Sequence, residues 1–500
     1  MAGAAANTGR RASLAALGLR ARDGRECEVT GLAVDSRDVK PGFLFAALPG
    51  SRLHGAEFIP YALRMEAGAV LTDPVGLALA EDALRGTDIP IVIAEDPRQA
   101  LAFAAALWFG RQPETMVAVT GTNGKTSVAS FTRQIWTELG LDAANLGTTG
   151  VEGAYTAPLA HTTPEPITLH RILAAMAEAH VTHAAMEASS HGLEQSRLDG
   201  VRLAAAGFTN FTQDHLDYHE TFDAYFAAKM RLFDQVLPED GTAVVNIGDP
   251  KGPEVADIAQ AHGCDILTVG RSPGAALKIT AQRFDGTGQD LRFDWQGTSQ
   301  TVRLNLIGGF QAENVLVAAG LAIATGSDPD GVFDALAYLR TVRGRMELAA
   351  TRANGASVFV DYAHTPAALE TALRAMRPHV LGRLIVVFGA GGDRDRGKRP
   401  LMGKAAARYA DVAIVTDDNP RSEDPALIRA EVRRGCPDAG DVGDRAEAIL
   451  RGVDALQAGD TLLIAGKGHE TGQAIGDDVF PFDDIEQASV AVAALDGTLS

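Results

Sequence analysis

Met116-Val-Ala-Val-Thr120 runs directly into Gly121-Thr-Asn-Gly-Lys-Thr-Ser127. The first five residues form an apolar, β-type run that predicts a short strand. A glycine-rich turn follows, and a helical pattern then extends from Thr126 to Leu139. Strand, glycine turn and helix in that order form a phosphate cradle. The backbone N–H groups of the turn point inward, and the helix N-terminus adds partial positive charge. Lys125 supplies a full charge for β- and γ-phosphates, and the Thr126 hydroxyl is placed to hold Mg²⁺. The spacing is Gly-x-x-Gly-Lys-Thr, two residues shorter than the common phosphate loop, whose first glycine would fall at Val119. Gly121, Thr122, Asn123, Gly124, Lys125, Thr126 and Ser127 are therefore the primary candidate site.

Working outward, the chain of 500 residues has room for about three domains at roughly 100–200 residues each. Three regions separate by pattern: 1–110, 111–343 and 344–500. The first alternates apolar runs (Gly42 to Leu48, Ala69 to Leu71, Ile91 to Ala94) with helical stretches such as Ile59 to Glu66. The second adds strand candidates at Ala184 to Glu187, Ala204 to Thr209 and Ala243 to Asn246. Alternation of strands with helices predicts a parallel sheet covered on both faces. The third has four apolar runs, Val358 to Val360, Leu384 to Phe388, Val412 to Val415 and Leu462 to Ala465. Each ends in a polar loop, and in open parallel sheets ligands sit at such strand ends.

Composition limits the function classes. Hydrophobic residues make up 46% and charged residues 22%, as in ordinary globular chains. The formal net charge of −19 argues against general coating of nucleic acid, which needs a broad basic face. Three widely spaced cysteines, Cys27, Cys264 and Cys436, predict neither a disulfide framework nor a cysteine zinc site. A reducing cytoplasm fits. The longest apolar run, near Ala100 to Phe109, is too short to span a bilayer. The arginine-rich start admits a transit peptide; the preferred reading is an unstructured beginning and a surface helix around Ala12 to Leu19.

Further constellations follow the strands. In Met186-Glu-Ala-Ser-Ser-His-Gly192, the Glu187 carboxylate stands at a strand end and suits a hard cation. Thr209-Asn-Phe-Thr-Gln-Asp-His-Leu-Asp-Tyr-His219 gathers two His and two Asp within six residues. Oxygen donors dominate there, which favours Mg²⁺ with His215 over zinc. By pattern alone Lys229 reads as a solvated helical lysine. Asp393-Arg-Asp-Arg-Gly-Lys-Arg399 packs four cations into seven residues, a local anion hook. Asp417-Asp-Asn-Pro-Arg421 sets carboxylate, amide and guanidinium on one turn. Such a set reads a zwitterion, the acid taking the ammonium and the arginine the carboxylate. Gly466-Lys-Gly-His-Glu470 adds another acid.

Together these motifs resemble the Mur ligase family, ATP-dependent amide-forming enzymes of peptidoglycan precursor synthesis. The resemblance covers nearly the whole chain and rests on motifs in family order. They include Asp35-Ser-Arg37, Gly121 to Thr126, Thr162-Thr-Pro164, Glu187 to Gly192, Asp214 to His219, Asp361 to Pro366, Gly391 to Pro400 and Gly466 to Glu470. It implies an α/β fold of three domains. A central P-loop-type ATPase with a parallel sheet is flanked by a small N-terminal α/β domain and a C-terminal Rossmann-like domain. It implies ATP, with Asn314 and Arg345 as further ATP contacts. It implies UDP-MurNAc-L-Ala-D-Glu on Ser36, Ser51, Arg52, Leu53, Thr162, Thr163, Ser190, Gln195 and Arg197. His161 stands where the family often has Asn. The loop Asp418-Asn-Pro-Arg421 resembles the family marker for meso-diaminopimelate, so Arg394, Asp418, Asn419, Pro420, Arg421, Gly466 and Glu470 are implied to bind that amino acid. Lys229 resembles the lysine that takes up CO₂ as a carbamate. Thr126, Glu187, His215 and the carbamate of Lys229 are then the implied Mg²⁺ ligands, and Lys125, Glu187, His215 and Lys229 the implied catalytic set. Partners other than these small molecules, whether nucleic acid or membrane, are not expected, and the chain is taken to be a monomer. Folylpolyglutamate synthetase and a nucleotide-regulated binding protein are the alternatives. The first lacks the Asp418–Arg421 loop, and the metal cluster argues against the second.

Overall fold

The computed structural model describes residues 9–50, 53–212, 219 and 221–498. Two compact units emerge. One holds the residues up to Leu277 together with Leu316–Val332, the other Lys278–Val315 with the residues from Phe333 onward.

The first unit contains two parallel systems. Strands Gly31–Ala33, Phe43–Ala46, Ala69–Thr72 and Ile91–Ile93 pair in sequence order, all parallel. The helix Pro97–Phe109 buries Leu101, Ala104, Ala105 and Trp108 in the same core. It is N-capped by the Asp96 carboxylate, which accepts from the N–H groups of Arg98 and Gln99. The surface helix expected near Ala12 does not form. A strand at Ala12–Ser13 and a 3₁₀ turn at Ala15–Leu17 stand there instead. Leu14, Leu17 and Leu19 are buried in that same core. Their apolar surface decides the conformation over helix propensity, which is a weak prior.

The larger sheet of this unit runs in the order Asp265–Gly270, Thr242–Asn246, Ala205–Phe208, Thr115–Thr120, His183–Glu187, Ala143–Gly147 and Gly150–Gly153. All neighbours are parallel except the last pair. Met116, Val117, Ala118 and Val119 are fully buried, as a strand covered on both faces requires. Thr115–Thr120 lies between His183–Glu187 and Ala205–Phe208. The carboxyl ends of these three strands therefore meet, and strand order diverges there to either side. Such a switch point opens a crevice.

In the second unit, strands Leu277–Asp285, Gly288–Trp295 and Thr298–Leu304 neighbour one another in order, the latter two antiparallel. They are followed by the helix Gln311–Ala324, shared between units. A six-stranded sheet has the order Glu347–Thr351, Ser357–Asp361, Thr461–Ala465, Leu384–Phe388, Val412–Val415 and Gly440–Asp441. All but the first pair are parallel. The four strands read from the sequence lie side by side, so their polar loops share one edge.

Close approach fixes one glycine here. A Cβ on Gly147 would sit 1.9 Å from the Glu187 carboxylate. Gly147→Ala should cost on the order of 1–3 kcal/mol of stability, as overpacking does. Urea unfolding of the purified variant measures it, and an unchanged midpoint would refute the packing argument.

Candidate active site

The helix Lys125–Glu138 begins without a side-chain cap; its N-cap is Gly124. The next helix in the chain, Pro166–Glu178, is capped by the Glu165 carboxylate, and Phe222–Arg231 by the Thr221 hydroxyl. An uncapped helix start keeps backbone donors available for an anion.

The phosphate loop is stapled to the segment after strand Ala205–Phe208. Thr122 N–H donates to the Asn210 carbonyl at 2.8 Å, and Asn123 N–H to the Asn210 side-chain oxygen at 3.0 Å. The Thr209 hydroxyl donates to the Asn123 carbonyl at 2.6 Å. The Thr122 hydroxyl donates to the Thr212 carbonyl at 3.0 Å and accepts from Thr212 N–H at 2.9 Å. Lys125 folds over the loop and donates to the carbonyls of Gly121 and Thr122 at 2.9 and 2.8 Å. Ser127 lies in the first helical turn.

Glu187 ends its strand at 2% exposure. One carboxylate oxygen accepts from the Thr126 hydroxyl at 2.9 Å, the other from Thr148 N–H at 2.7 Å. Thr126 and Glu187 thus set two hard oxygen donors together, the type that Mg²⁺ prefers. His215 lies outside the described residues. Among the described ones no three His, Cys, Asp or Glu side chains converge on a metal position.

Lys229 corrects the pattern-based reading. It is 1% exposed, not solvated. Its ammonium donates to the Gly121 carbonyl at 2.8 Å and lies 4.6 Å from the Tyr225 ring centroid. One carbonyl oxygen thus accepts from two lysines, Lys125 and Lys229. The helix pattern placed Lys229 on a helix, not under the phosphate loop that covers it.

Of the residues expected to hold the UDP precursor, three converge by hydrogen bonds: Thr163, Gln195 and Arg197. Arg197 donates to the Thr163 carbonyl at 2.7 Å and to the Gln195 side-chain oxygen at 2.7 Å. The Thr163 hydroxyl donates to the Glu187 carbonyl at 2.9 Å and accepts from Ser189 N–H at 3.1 Å. Ser190, next in chain, is 2% exposed and its hydroxyl has no partner among the described residues. Thr162 meets the Thr148 hydroxyl at 3.1 Å. Ser36, in the 3₁₀ turn Ser36–Asp38, and the exposed Leu53 sit with the four-stranded sheet. Ser51 and Arg52 lie outside the described residues.

Asn314 and Arg345 belong to the second unit. Asn314, on Gln311–Ala324, is buried and donates to the Gln311 side chain at 3.0 Å. Arg345 stacks 4.9 Å from the Tyr362 ring centroid. Nearby, Asp361 accepts from the N–H groups of Met346 and Ala363, each at 2.8 Å. Burial pushes its carboxyl above the usual range, against the pull of Arg345 and those two donors.

The loops at the six-stranded edge form a second cluster. Asp418 and Asn419 are buried. One Asp418 oxygen accepts from Asn419 N–H at 2.8 Å, and the other, Oδ2, is buried without a partner among the described residues. A Cβ on Gly466 would lie 2.6 Å from that oxygen, and Gly466 holds φ +123°. The Asn419 amide donates to Glu470 at 2.9 Å. Arg421, after Pro420, adopts φ +51° and donates to the Gly392 carbonyl at 2.9 Å. The anion hook is smaller than expected. Arg399 is fully buried and bound to Glu423 and Glu431 at 2.8 and 2.7 Å, and Arg396 also pairs with Glu423. Lys398 donates to the His364 carbonyl. Arg394 stays exposed, its guanidinium 3.1 Å from the Asp393 carbonyl.

Two buried groups escaped the sequence reading. Lys467 is fully buried between Asn419 and Glu470. Arg445 and Asp484 form a bidentate pair, both side chains at 0% exposure. Arg445 also donates to the carbonyls of Asp417 and Ala465 at 3.4 and 3.1 Å, so it steadies the residues just before Asp418 and Gly466.

Comparison with known proteins settles the family. The Mur ligase middle domain matches residues 119–322, the Mur ligase glutamate ligase domain 344–468, and the Mur ligase family catalytic domain 28–108. A protein of Bradyrhizobium diazoefficiens is 50% identical over 93% of this chain and 95% of its own length. The chain belongs to the Mur ligase family. That relative is named UDP-N-acetylmuramoyl-L-alanyl-D-glutamate--2,6-diaminopimelate ligase. A relative from Brucella melitensis, of the same name, is 50% identical over 94% of this chain and 95% of its own. A solved structure of a Mur ligase with that name superposes with a TM-score of 0.71 at 34% identity, covering 93% of this chain and 95% of the other. The Thermotoga maritima MurF ligase, solved with ADP, shares the fold at a TM-score of 0.59 and 18% identity, over 96% and 98% of the two chains.

For this Mur ligase, Lys125→Ala removes the one full charge that the loop itself carries. Release of ADP should fall below detection in a coupled assay. Normal turnover by that variant would show the phosphate-loop assignment to be wrong.

Proposed function

We propose that the chain joins meso-2,6-diaminopimelate to the γ-carboxylate of D-Glu in UDP-MurNAc-L-Ala-D-Glu, with ATP as the energy source. The observation that carries this reading is the second cluster. A buried carboxylate oxygen, Asp418 Oδ2, which has no partner among the described residues, shares a loop with Asn419 and Arg421 and lies against Gly466. An unpaired buried acceptor is costly, and an amino acid's ammonium would satisfy it. The names of the relatives give the same substrate class.

In this reading residues 1–110 bind the UDP end, 111–343 the nucleotide and 344–500 the incoming amino acid. The N–H groups at the uncapped start of helix Lys125–Glu138 and the Lys125 ammonium draw charge off the ATP γ-phosphate. Thr163, Ser190, Gln195 and Arg197 orient the acceptor so that its γ-carboxylate oxygen attacks the γ-phosphorus. ADP leaves and an acyl phosphate remains. Asp418, Asn419, Arg421 and Glu470 hold diaminopimelate, with Arg394 and Gly466 beside them. Its amine, after losing a proton, attacks the acyl carbon, and the tetrahedral adduct expels phosphate. Positioning does most of the work.

Thr126, Glu187, His215 and a carbamate on Lys229 are the proposed Mg²⁺ ligands. The metal would neutralise charge between the carboxylate and the phosphate. Two observations support the carbamate: Lys229 is buried against the phosphate loop, and its carbonyl acceptor, Gly121 O, also accepts from Lys125. Conversion of the Lys229 amine to an anion would place a negative charge beside the Lys125 ammonium's acceptor. The chain is proposed to act as a cytoplasmic monomer; among the described residues no helix is long and apolar enough to cross a membrane.

ADP release should depend on the UDP precursor and diaminopimelate together, and lysine should replace the amino acid poorly. Arg421→Ala should raise the KM for diaminopimelate by about 10- to 100-fold, the scale of a lost charge-assisted contact, and largely spare precursor binding. Equal loss of both would sink the role given to this loop. Lys229→Ala should be inactive and partly rescued by short carboxylates, and intact mass should reveal the CO₂ adduct on the wild type. No adduct together with no rescue would remove the carbamate.

A further inference from the structure

We infer that Lys467 is a positioning residue for amino-acid selection: its buried ammonium locks the Asn419 amide and the Glu470 carboxylate into one donor–acceptor pair. The inference rests on the reading of this cluster as the diaminopimelate site.

Lys467 follows strand Thr461–Ala465 and Gly466, and its side chain has no exposed surface. A lysine is almost never fully buried without a partner. Here the ammonium donates to the Asn419 side-chain oxygen at 3.0 Å and to Glu470 Oε2 at 3.1 Å. The Asn419 oxygen also accepts from Ala474 N–H at 2.9 Å. Lysine ammonium and backbone N–H can only donate. The amide orientation is therefore fixed by chemistry: oxygen inward on two donors, nitrogen outward. That nitrogen spends one hydrogen on Glu470 Oε2 at 2.9 Å. Its second hydrogen has no partner among the described residues. Glu470 Oε2 is held from two sides, by Lys467 and Asn419, and the carboxylate is about one-third exposed at 34%, so Oε1 remains for a ligand.

The consequence is a fixed pattern. The cluster offers an N–H from Asn419, which suits a carboxylate, and an oxygen from Glu470, which suits an ammonium. Asn419 and Glu470 lie 51 residues apart in the chain and on different loops. Lys467 is the cation that binds both. Without it Glu470 is free to swing toward solvent, and Asn419 loses half of what holds its oxygen inward. Arg445 fixes the backbone under the same loops through the Asp417 and Ala465 carbonyls, so Lys467 acts on side chains and Arg445 on main chain.

Lys467→Met keeps an unbranched chain one atom shorter and removes the charge. Steady-state assays should show the KM for diaminopimelate raised at least about ten-fold. The KM values for ATP and for the UDP precursor should stay within about two-fold. A purely structural role would move all three together, and that outcome overturns the inference. An unchanged KM for diaminopimelate does so too. Combined with Asn419→Ala, Lys467→Met should raise the KM by less than the product of the two single effects, because both act through one amide. A full product would mean that Lys467 does not work through Asn419. If Lys467→Met fails to fold, Lys467→Gln, which retains an N–H donor, carries the same comparison; its KM for diaminopimelate should rise alone, and a uniform rise or none refutes the role. Wild-type protein that releases no ADP with diaminopimelate refutes the functional reading itself. Wild-type activity with no selective defect in either variant refutes only the inference.

Discussion

A single buried carboxylate organises the nucleotide end of this protein. Glu187 closes its strand and receives Thr126 from the phosphate-loop helix and Thr148 from the turn after Ala143–Gly147. Its backbone carbonyl holds Thr163. Three separate segments thus meet on one residue, and two of them carry proposed ligand contacts: Thr126 for the metal and Thr163 for the precursor. A buried carboxylate is expensive unless it is bonded, so the arrangement is stable only when all these donors are in place. Gly147 leaves the space that this requires. Parallel pairing brings the strand ends together, and the carboxylate fixes their spacing.

The second cluster obeys the same rule with more charges. Arg445–Asp484, Arg399 with Glu423 and Glu431, and Lys467–Glu470 are buried or nearly so on the cation side. Such pairs are weak evidence for stability, because desolvation offsets attraction. Their value here is geometric. Arg445 fixes two backbone carbonyls, Arg399 joins the Gly391 carbonyl to Glu423 and Glu431, and Lys467 holds two side chains. The loop containing Arg421 is bent into positive φ, a conformation that persists only where surroundings over-determine it.

How much of this could be read from residues alone depended on the range of the forces involved. The parallel strands were legible because both faces are buried, which writes a continuous apolar run: Leu384 to Phe388 is read and found with the same ends. The phosphate loop was legible because its strand, glycines, lysine and threonine are contiguous. Lys229 was not legible from pattern. Its burial is imposed by Gly121, 108 residues away, and only resemblance to relatives pointed to it. Leu14 and Leu17 misled in the opposite direction, since a local helical pattern yielded to a core supplied by Leu101 and Trp108. Lys467 and Arg445 looked like ordinary charged residues because Asn419 and Asp484, which bury them, lie 48 and 39 residues away in the chain. The three strands between Leu277 and Leu304 passed unread; their exposed faces are polar, so no apolar run marks them.

The staples between the phosphate loop and residues 209–212 join positions 86 to 90 apart in the chain. Contacts of such long separation form late, because closing the intervening loop costs entropy before any bond repays it. The nucleotide cradle therefore cannot assemble on the nascent chain when Gly121 to Ser127 first emerge. It must wait until strand Ala205–Phe208 has been synthesised and docked. During translation the helix Lys125–Glu138 can form early, but its amino-terminal loop stays without its partners for the time needed to add the next eighty or so residues. Competence to bind a nucleotide thus marks a checkpoint in folding as well as a step in chemistry.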